Sequence, residues 1–347
     1  MNAVQSYKSY TARRVAFGVL LFLLLALGAI FALSVGSYSS PVEFLRTLVT
    51  ERSEAFLVLW NIRLPRIAAA VIVGAGLAVA GAVMQCLLRN PLASPFTMGI
   101  SHGAMFGASL AIVLIGAGGA ESSGRILVSN PYAVAVLAFA GSLLGVVTVL
   151  ILARLRSLSP GAMILAGIAM ASLFTAATTL LQYFAQEEEL AAMVYWSFGD
   201  LGRPVWREVW IMGGVFLPSL AYFLLKRWDY NALENGDETA KTLGVMVQRV
   251  RLLGMLLASL VTAIGVAFVG IIGFIGLIAP HVVRLLTGGD HRFLIPNSAL
   301  FGALLLLASD TLARTVISPA LLPVGVVTSF MGGPMFIYLL VKMERRI

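Results

Sequence analysis

The stretch that decides the fold is IAAAVIVGAGLAVAGAVMQCLL, residues Ile67–Leu88. It carries no charge and, as a helix rising 1.5 Å per residue, is long enough to cross a hydrocarbon layer of about 30 Å. Runs like it recur along all 347 residues, which are 59% hydrophobic and 12% charged, with a mean hydropathy of +0.94. Soluble domains carry about 25% charged residues, so a soluble enzyme, a nucleic-acid binder and a secreted disulfide scaffold are excluded. In hydrocarbon every backbone polar group must be satisfied within the chain, which helices do segment by segment. The sequence therefore predicts an all-α polytopic membrane protein.

Working outward, the spans are Val15–Val35, Ile67–Leu88, Gly99–Gly118, Ala133–Ala153, Met163–Phe184, Val209–Leu225, Leu252–Gly270, Ile272–Leu286, Ser298–Thr315 and Val324–Val341. The first follows a basic segment as a signal peptide would, but it is too long for one and lacks a small-residue cleavage site, so it reads as a retained span. The eighth is short and contains Pro280, so hydropathy alone leaves nine or ten crossings open. With ten crossings and the N-terminus inside, sixteen of the 24 lysines and arginines fall on the inner side, among them Lys226, Arg249, Arg284, Arg345 and Arg346. The outer set is Arg46, Arg52, Arg63, Arg66, Arg125, Arg203, Arg207 and Arg314. The positive-inside rule favours this orientation, with both termini cytoplasmic. Acidic residues lean outward: Glu43, Glu51, Glu54, Glu121, the run Glu187–Glu189, Asp200 and Glu208.

Within the deciding stretch, Gly74, Ala78 and Ala82 recur every fourth residue and form a flat face on which another helix backbone can lie, which places this span inside the bundle. The same device is expected at Gly265, Gly270, Gly273 and Gly276. Chemistry-bearing residues are sparse. Cys86 is the single cysteine, the three histidines (His102, His281, His291) are scattered, and no cluster has metal-ligand spacing. The chain has no Gly-Lys dipeptide and hence no phosphate-binding P-loop, no H-E-x-x-H and no G-x-S-x-G, so no catalytic residue is named and any ATP hydrolysis belongs to another chain.

Three features read as contact sites. The inner loop Asn231–Val245 (NALENGDETAKTLGV) predicts a short amphipathic helix ending near Gly244, lying on the membrane or docking into another protein. On the outer side, Arg63 and Arg66 in NIRLPR run against the charge bias. Either they snorkel from lipid to water or they pair with a partner's carboxylates. Asp310 and Arg314 are spaced for an ion pair on one helix face. An ion-coupled secondary transporter using Asp310 is the alternative from a different functional class.

The strings RLPR (Arg63–Arg66), GAGLAVAGAVMQ (Gly74–Gln85), NPLASP (Asn90–Pro95), GDETAKTLGV (Gly236–Val245), GFIGLIAPHVVR (Gly273–Arg284), DHR (Asp290–Arg292) and PVGVVTSFMGGPMFIYLL (Pro323–Leu340) resemble the FecCD family. These are permease subunits of type II ABC importers for iron–siderophore complexes, haem and cobalamin. The resemblance covers Ile62 to Lys342. It implies ten spans in a single permease domain over 1–347, no enzyme activity and no directly bound cofactor or metal. Its implied partners are a second permease subunit (a copy or a paralogue), two cytoplasmic ATPase subunits that use ATP, a periplasmic or lipid-anchored binding protein and a metal-chelate cargo. It implies a bacterial or archaeal cell membrane, with ferric siderophore ahead of haem and cobalamin.

By the same resemblance, the 228–250 loop holds a coupling helix for the ATPase, with Gly236, Asp237, Glu238, Thr239, Ala240, Leu243 and Gly244 at the contact. Arg63, Arg66 and Arg314 would face the periplasm and meet glutamates of the binding protein. Candidate pathway-lining residues are Met84, Gln85, Ser101, His102 and Met105. Many siderophore members carry Trp-x-x-Gly-Ser before the sixth span, whereas here Trp196 and Gly199 precede Asp200.

Overall fold

Helix after helix is bounded by the residues expected at helix ends. Pro131 and Pro160 open two of them, where a missing N–H costs nothing. The preceding Asn130 and Ser159 accept from the Ala133 and Ala162 amides at 3.1 and 3.4 Å. Asp290 caps another through the Arg292 amide at 3.0 Å. The computed structural model describes residues 3–35, 56–120, 126–128, 130–318 and 320–344. Arg46, Arg52, Arg125, Arg345, Arg346, Glu43, Glu51, Glu54 and Glu121 lie outside the described residues.

In chain order the helices are α1 (Ala3–Ser34), α2 (Leu64–Leu87, entered through a π-helical turn at Leu59–Arg63), α3 (Ile100–Leu114), α4 (Pro131–Arg154), α5 (Pro160–Phe184), α6 (Glu187–Ser197) and α7 (Trp206–Leu225). They continue as α8 (Arg227–Glu234), α9 (Asp237–Thr242), α10 (Val247–Val269), α11 (Ile275–Thr287), α12 (His291–Thr315) and α13 (Val324–Glu344). Each of the ten expected spans has its helix. Seven are long and apolar enough to cross a membrane, and α3, α11 and α13 supply three shorter apolar helices. One short antiparallel hairpin, Gly118–Ala120 with Ile126–Val128, departs from the all-helical plan among the described residues.

One end of the bundle, here the proximal end, holds the start of α1, whose Arg14 donates to the Thr287 carbonyl at the close of α11. At the distal end α1 finishes beside the start of α2 and the close of α12.

The α2 helix is buried on nearly every side, against α7, α10, α11 and α12. Its glycines set the distances. A β-carbon at Gly74 would lie 2.5 Å from the Gly302 carbonyl oxygen, and one at Gly81 only 1.7 Å from the Gly276 oxygen. Pro280 has no N–H to offer the Gly276 carbonyl one helical turn back, and that oxygen lies instead against Gly81. The α3–α4 pair repeats the device, with Gly103 and Gly141 each facing the other's carbonyl. The second expected glycine face is corrected. Gly265 makes ordinary contact with Val73, Gly273 faces open space, and only Gly276 brings two backbones together within a helix pair.

Gly270 and Gly273 lie in the non-helical 270–274 segment that shortens the eighth span. Phe274 ends that segment in the left-handed region at φ 67°, and its ring fills the space that Gly332 leaves by having no side chain. Overpacking a tight site costs about 1–3 kcal/mol. Gly81→Ala is therefore expected to lower the thermal unfolding midpoint of the purified protein, whereas Gly161→Ala, with nothing within 4 Å of the added carbon, leaves it unchanged or slightly higher.

Candidate functional site

At the distal end a buried carboxylate organises three helix termini. Asp310 on α12 is 0% exposed and accepts from Arg66 Nε at 3.0 and 3.1 Å, from Arg66 Nη2 at 2.8 Å and from Arg314 Nε at 3.1 Å. Arg314 also donates to the Val35 and Ala32 carbonyls at the close of α1, at 3.1 and 3.4 Å, and Arg63 donates to the Leu33 carbonyl. Asp200 stands 3.8 Å from Arg66 Nη2, held by its own amide on the Val269 carbonyl at 2.7 Å. Trp196, just before it, is buried. The outward-facing arginines implied by the family likeness are thus turned inward. Arg63 and Arg314 are each 7% exposed, and the Arg66 side chain 11%. For Arg66 and Arg314 the physical reason is Asp310. A carboxylate with no access to water is stable as an ion only if donors cover its oxygens.

At the proximal end the expected loop helix is two helices. Gly236, at φ 118°, breaks α8 from α9. The α9 helix closes in a Schellman motif: Gly244, at φ 82°, donates to the Lys241 carbonyl and Val245 to the Ala240 carbonyl, each at 2.9 Å. Asp237 at its start accepts from Arg89 at 2.6 Å and from both terminal nitrogens of Arg251 at 2.8 and 3.1 Å. Burial alone would raise this acid, but the Arg251 and Arg89 guanidiniums outweigh it and hold the Asp237 carboxyl below its ordinary value. Arg251 is itself 2% exposed and also donates to the Leu158 carbonyl at 3.3 Å.

Ala240 packs inward, whereas Glu238, Thr239, Leu243 and Met246 face out, the last two 68% and 61% exposed. Arg89 occupies the C′ position after α2 at φ 47°, where glycine is preferred, and its side chain reaches Asp237 from there.

The five candidate lining residues separate. Met84 and Gln85 are buried inside the bundle, with Gln85 Nε2 donating to the Leu277 carbonyl at 3.3 Å. They sit on the α2 surface that packs within this chain. His102 is exposed, with Ser101 and Met105 partly so. His102 lines a cavity of about 600 Å³ with Phe96, Thr97, Ile168 and Thr175. Sequence reasoning found the Asp310–Arg314 pair from its spacing but not Arg66, which no local pattern links to Asp310. It also missed Arg89 and Arg251 as the braces of the inner loop. Of the acidic run, Glu189 turns back to accept from the Gln186 amide at 2.9 Å as a helix-start bond.

A bundle of this topology, with seven helices long and apolar enough to cross a membrane and three shorter apolar ones among the described residues, is that of a multi-pass membrane protein. The FecCD transport family model matches residues 23–342, and the chain belongs to that family. An ABC transporter permease protein of Methanocaldococcus jannaschii is 62% identical over the whole of both chains. The hemin transport system permease of Yersinia pestis is 40% identical and the vitamin B12 import system permease of Salmonella typhi 37%, each over 96% of this chain and 97% of the relative. An inward-facing structure of a metal-chelate type ABC transporter superposes with a TM-score of 0.81 at 32% identity, over 94% of this chain and 98% of that one. These relatives are transport permeases, not enzymes.

Two outcomes follow from the clasps. Asp310→Asn leaves Arg66 and Arg314 buried without their counter-charge, a class of change that costs roughly 3–5 kcal/mol, and the unfolding midpoint of the variant should fall well below that of the parent. Arg89→Gly trades about 1 kcal/mol of left-handed strain against a half-exposed ion pair of similar worth. Stability should stay near the parent's, while hydrogen-exchange protection of Asp237–Thr242 drops.

Proposed function

We propose that this chain is the membrane-spanning subunit of an ABC importer that carries a metal chelate, ferric siderophore first among them, into the cytoplasm. The observation that carries the proposal is the proximal loop: α9 is braced by Asp237 against Arg89 and Arg251 and shows Leu243 and Met246 to solvent. A rigid segment with an apolar outer face suits docking into a partner that delivers force. On this reading the proximal end is cytoplasmic, both termini lie there, and Gly236–Gly244 is the contact with an ATPase subunit, which binds and hydrolyses the ATP.

The distal end is then the docking face for a substrate-binding protein. Carboxylates of a docked partner would compete with the partly exposed Asp200 for Arg66. The pathway runs between this single permease domain and a second permease subunit, and the exposed His102, Ser101 and Met105 are better placed than Met84 and Gln85 to meet cargo there. Haem is the second reading for cargo, favoured by the 40% identity with the hemin permease.

The test is uptake into proteoliposomes holding this chain with its co-encoded ATPase and binding protein, offered ferric siderophore, haemin or cyanocobalamin in parallel. Uptake should require ATP on the side of the proximal loop and survive an ionophore. Leu243→Asp, at an exposed site, should reduce both uptake and ATPase co-purification by about tenfold or more. Uptake that ignores ATP and collapses with the ion gradient would falsify the importer reading.

A further inference from the structure

The single cysteine, read from sequence as isolated, has company in space. Cys86 in the last turn of α2, Glu234 at the end of α8 and His291 at the start of α12 bring one ligand atom each to within 4.8 Å of one another. Their chemistry differs in a way that suits a cation. His291 is 0% exposed, and its Nδ1 and backbone amide are both held by Asn231 Oδ1, at 3.1 and 2.8 Å. That anchor sets the tautomer with hydrogen on Nδ1 and leaves Nε2 as the lone-pair nitrogen, the arrangement that orients metal-binding histidines. Nε2 is buried and, among the described residues, has no hydrogen-bond partner.

Cys86 is buried too, its sulfur 3.4 Å from the Tyr230 carbonyl, and the Tyr230 ring lies 5.7 Å from the His291 ring. Glu234 stands at the rim, its side chain 29% exposed, so the cluster opens to water on that side. Arg284 holds Glu234 Oε1 at 2.5 Å. A carboxylate has lone pairs enough for a guanidinium and a cation together.

We propose that Cys86, Glu234 and His291 form a binding site for a divalent first-row transition metal of the zinc type, with water as the fourth ligand. The donor set is one thiolate sulfur, one imidazole nitrogen and one carboxylate oxygen, which suits borderline-soft ions such as Zn²⁺, Co²⁺ or Fe²⁺ and disfavours Mg²⁺ and Ca²⁺. Metal–ligand bonds of about 2.0–2.3 Å place tetrahedral ligand atoms roughly 3.5 Å apart. The three ligand atoms, within 4.8 Å of one another, would have to draw in by up to about 1 Å on binding. Binding releases the thiol proton to water. Glu234 and the Asp237 clasp are joined through the break at Gly236, so an occupied site would fasten the base of the exposed α9 loop to the ends of α2 and α12. The inference does not depend on the cargo or on the ATPase.

The experiment is a Co²⁺ titration of the full-length chain, purified in detergent and stripped with chelator. Because Cys86 is the only cysteine, a thiolate-to-cobalt absorption band reports this site alone. One equivalent of Co²⁺ should give the band, Zn²⁺ should bleach it, Cys86→Ser should abolish it, and Glu234→Gln, at an exposed position that leaves the fold intact, should weaken binding by about tenfold or more. A chain that shows no band overturns the proposal. So does a band whose affinity is the same in Glu234→Gln, since that is a cysteine binding alone.

Discussion

Two helix backbones can touch only where no β-carbon stands between them, and the bundle is built around such contacts on α2. Lipid chains are as apolar as leucine, so helices in a membrane gain little from hiding apolar surface and associate instead through close packing. Gly74 against Gly302 fixes α2 to α12, and Gly81 against Gly276 fixes it to α11. What happens at both ends of the bundle follows from these contacts. With α2 and α12 locked side by side, Arg66 at the start of one comes within hydrogen-bond distance of Asp310 near the close of the other. At the opposite end the same pairing delivers Cys86 to His291.

The charges are placed according to how much water reaches them. At the distal end the Asp310 carboxylate is dry and covered by donors, and a buried ion pair of this kind fixes geometry more than it adds stability. Arg66 and Arg314 occupy both oxygens of Asp310, which makes it a structural ion that ties α1, α2 and α12. Proton coupling through that group finds no support in such an arrangement. The proximal clasp is graded. Arg251 is buried and Arg89 is half exposed, so Asp237 is held by one partner that salt reaches and one that it does not.

Nine spans, their order and the central position of α2 were legible in the residues themselves, because bilayer thickness sets span length and small residues at four-residue spacing signal a buried face, whereas the short eighth span, with Pro280 in it, rested on the family resemblance. The Asp310–Arg314 pair was legible for the same reason, since helical spacing is local. The third partner was not. Arg66 and Asp310 lie at opposite ends of the sequence, and nothing local distinguishes an arginine that snorkels from one folded inward. The inner loop was half legible: Gly244 announces the end of α9, but α8, at eight residues, is too short for a periodic pattern to stand out, and nothing local marks the break at Gly236. The segment they belong to points Met84 and Gln85 towards the pathway, whereas burial is decided by which side of α2 faces α10 and α11. The metal-ligand candidates failed every spacing rule because they come from three separate helices.

The glycine contacts also make the freedom of this sequence to change one-sided. On α2 a single added carbon collides with a neighbouring carbonyl. On α5, Leu165, Ile168, Leu173 and Leu180 are all more than half exposed on this chain, and many apolar side chains would serve there equally well. Drift, and with it adaptation to a new cargo or a new neighbouring subunit, therefore has room on α5 and on the open side of α3, and almost none along α2. The helix by which the fold is most easily recognised is for that reason the least informative place to look for what distinguishes one member of the family from another.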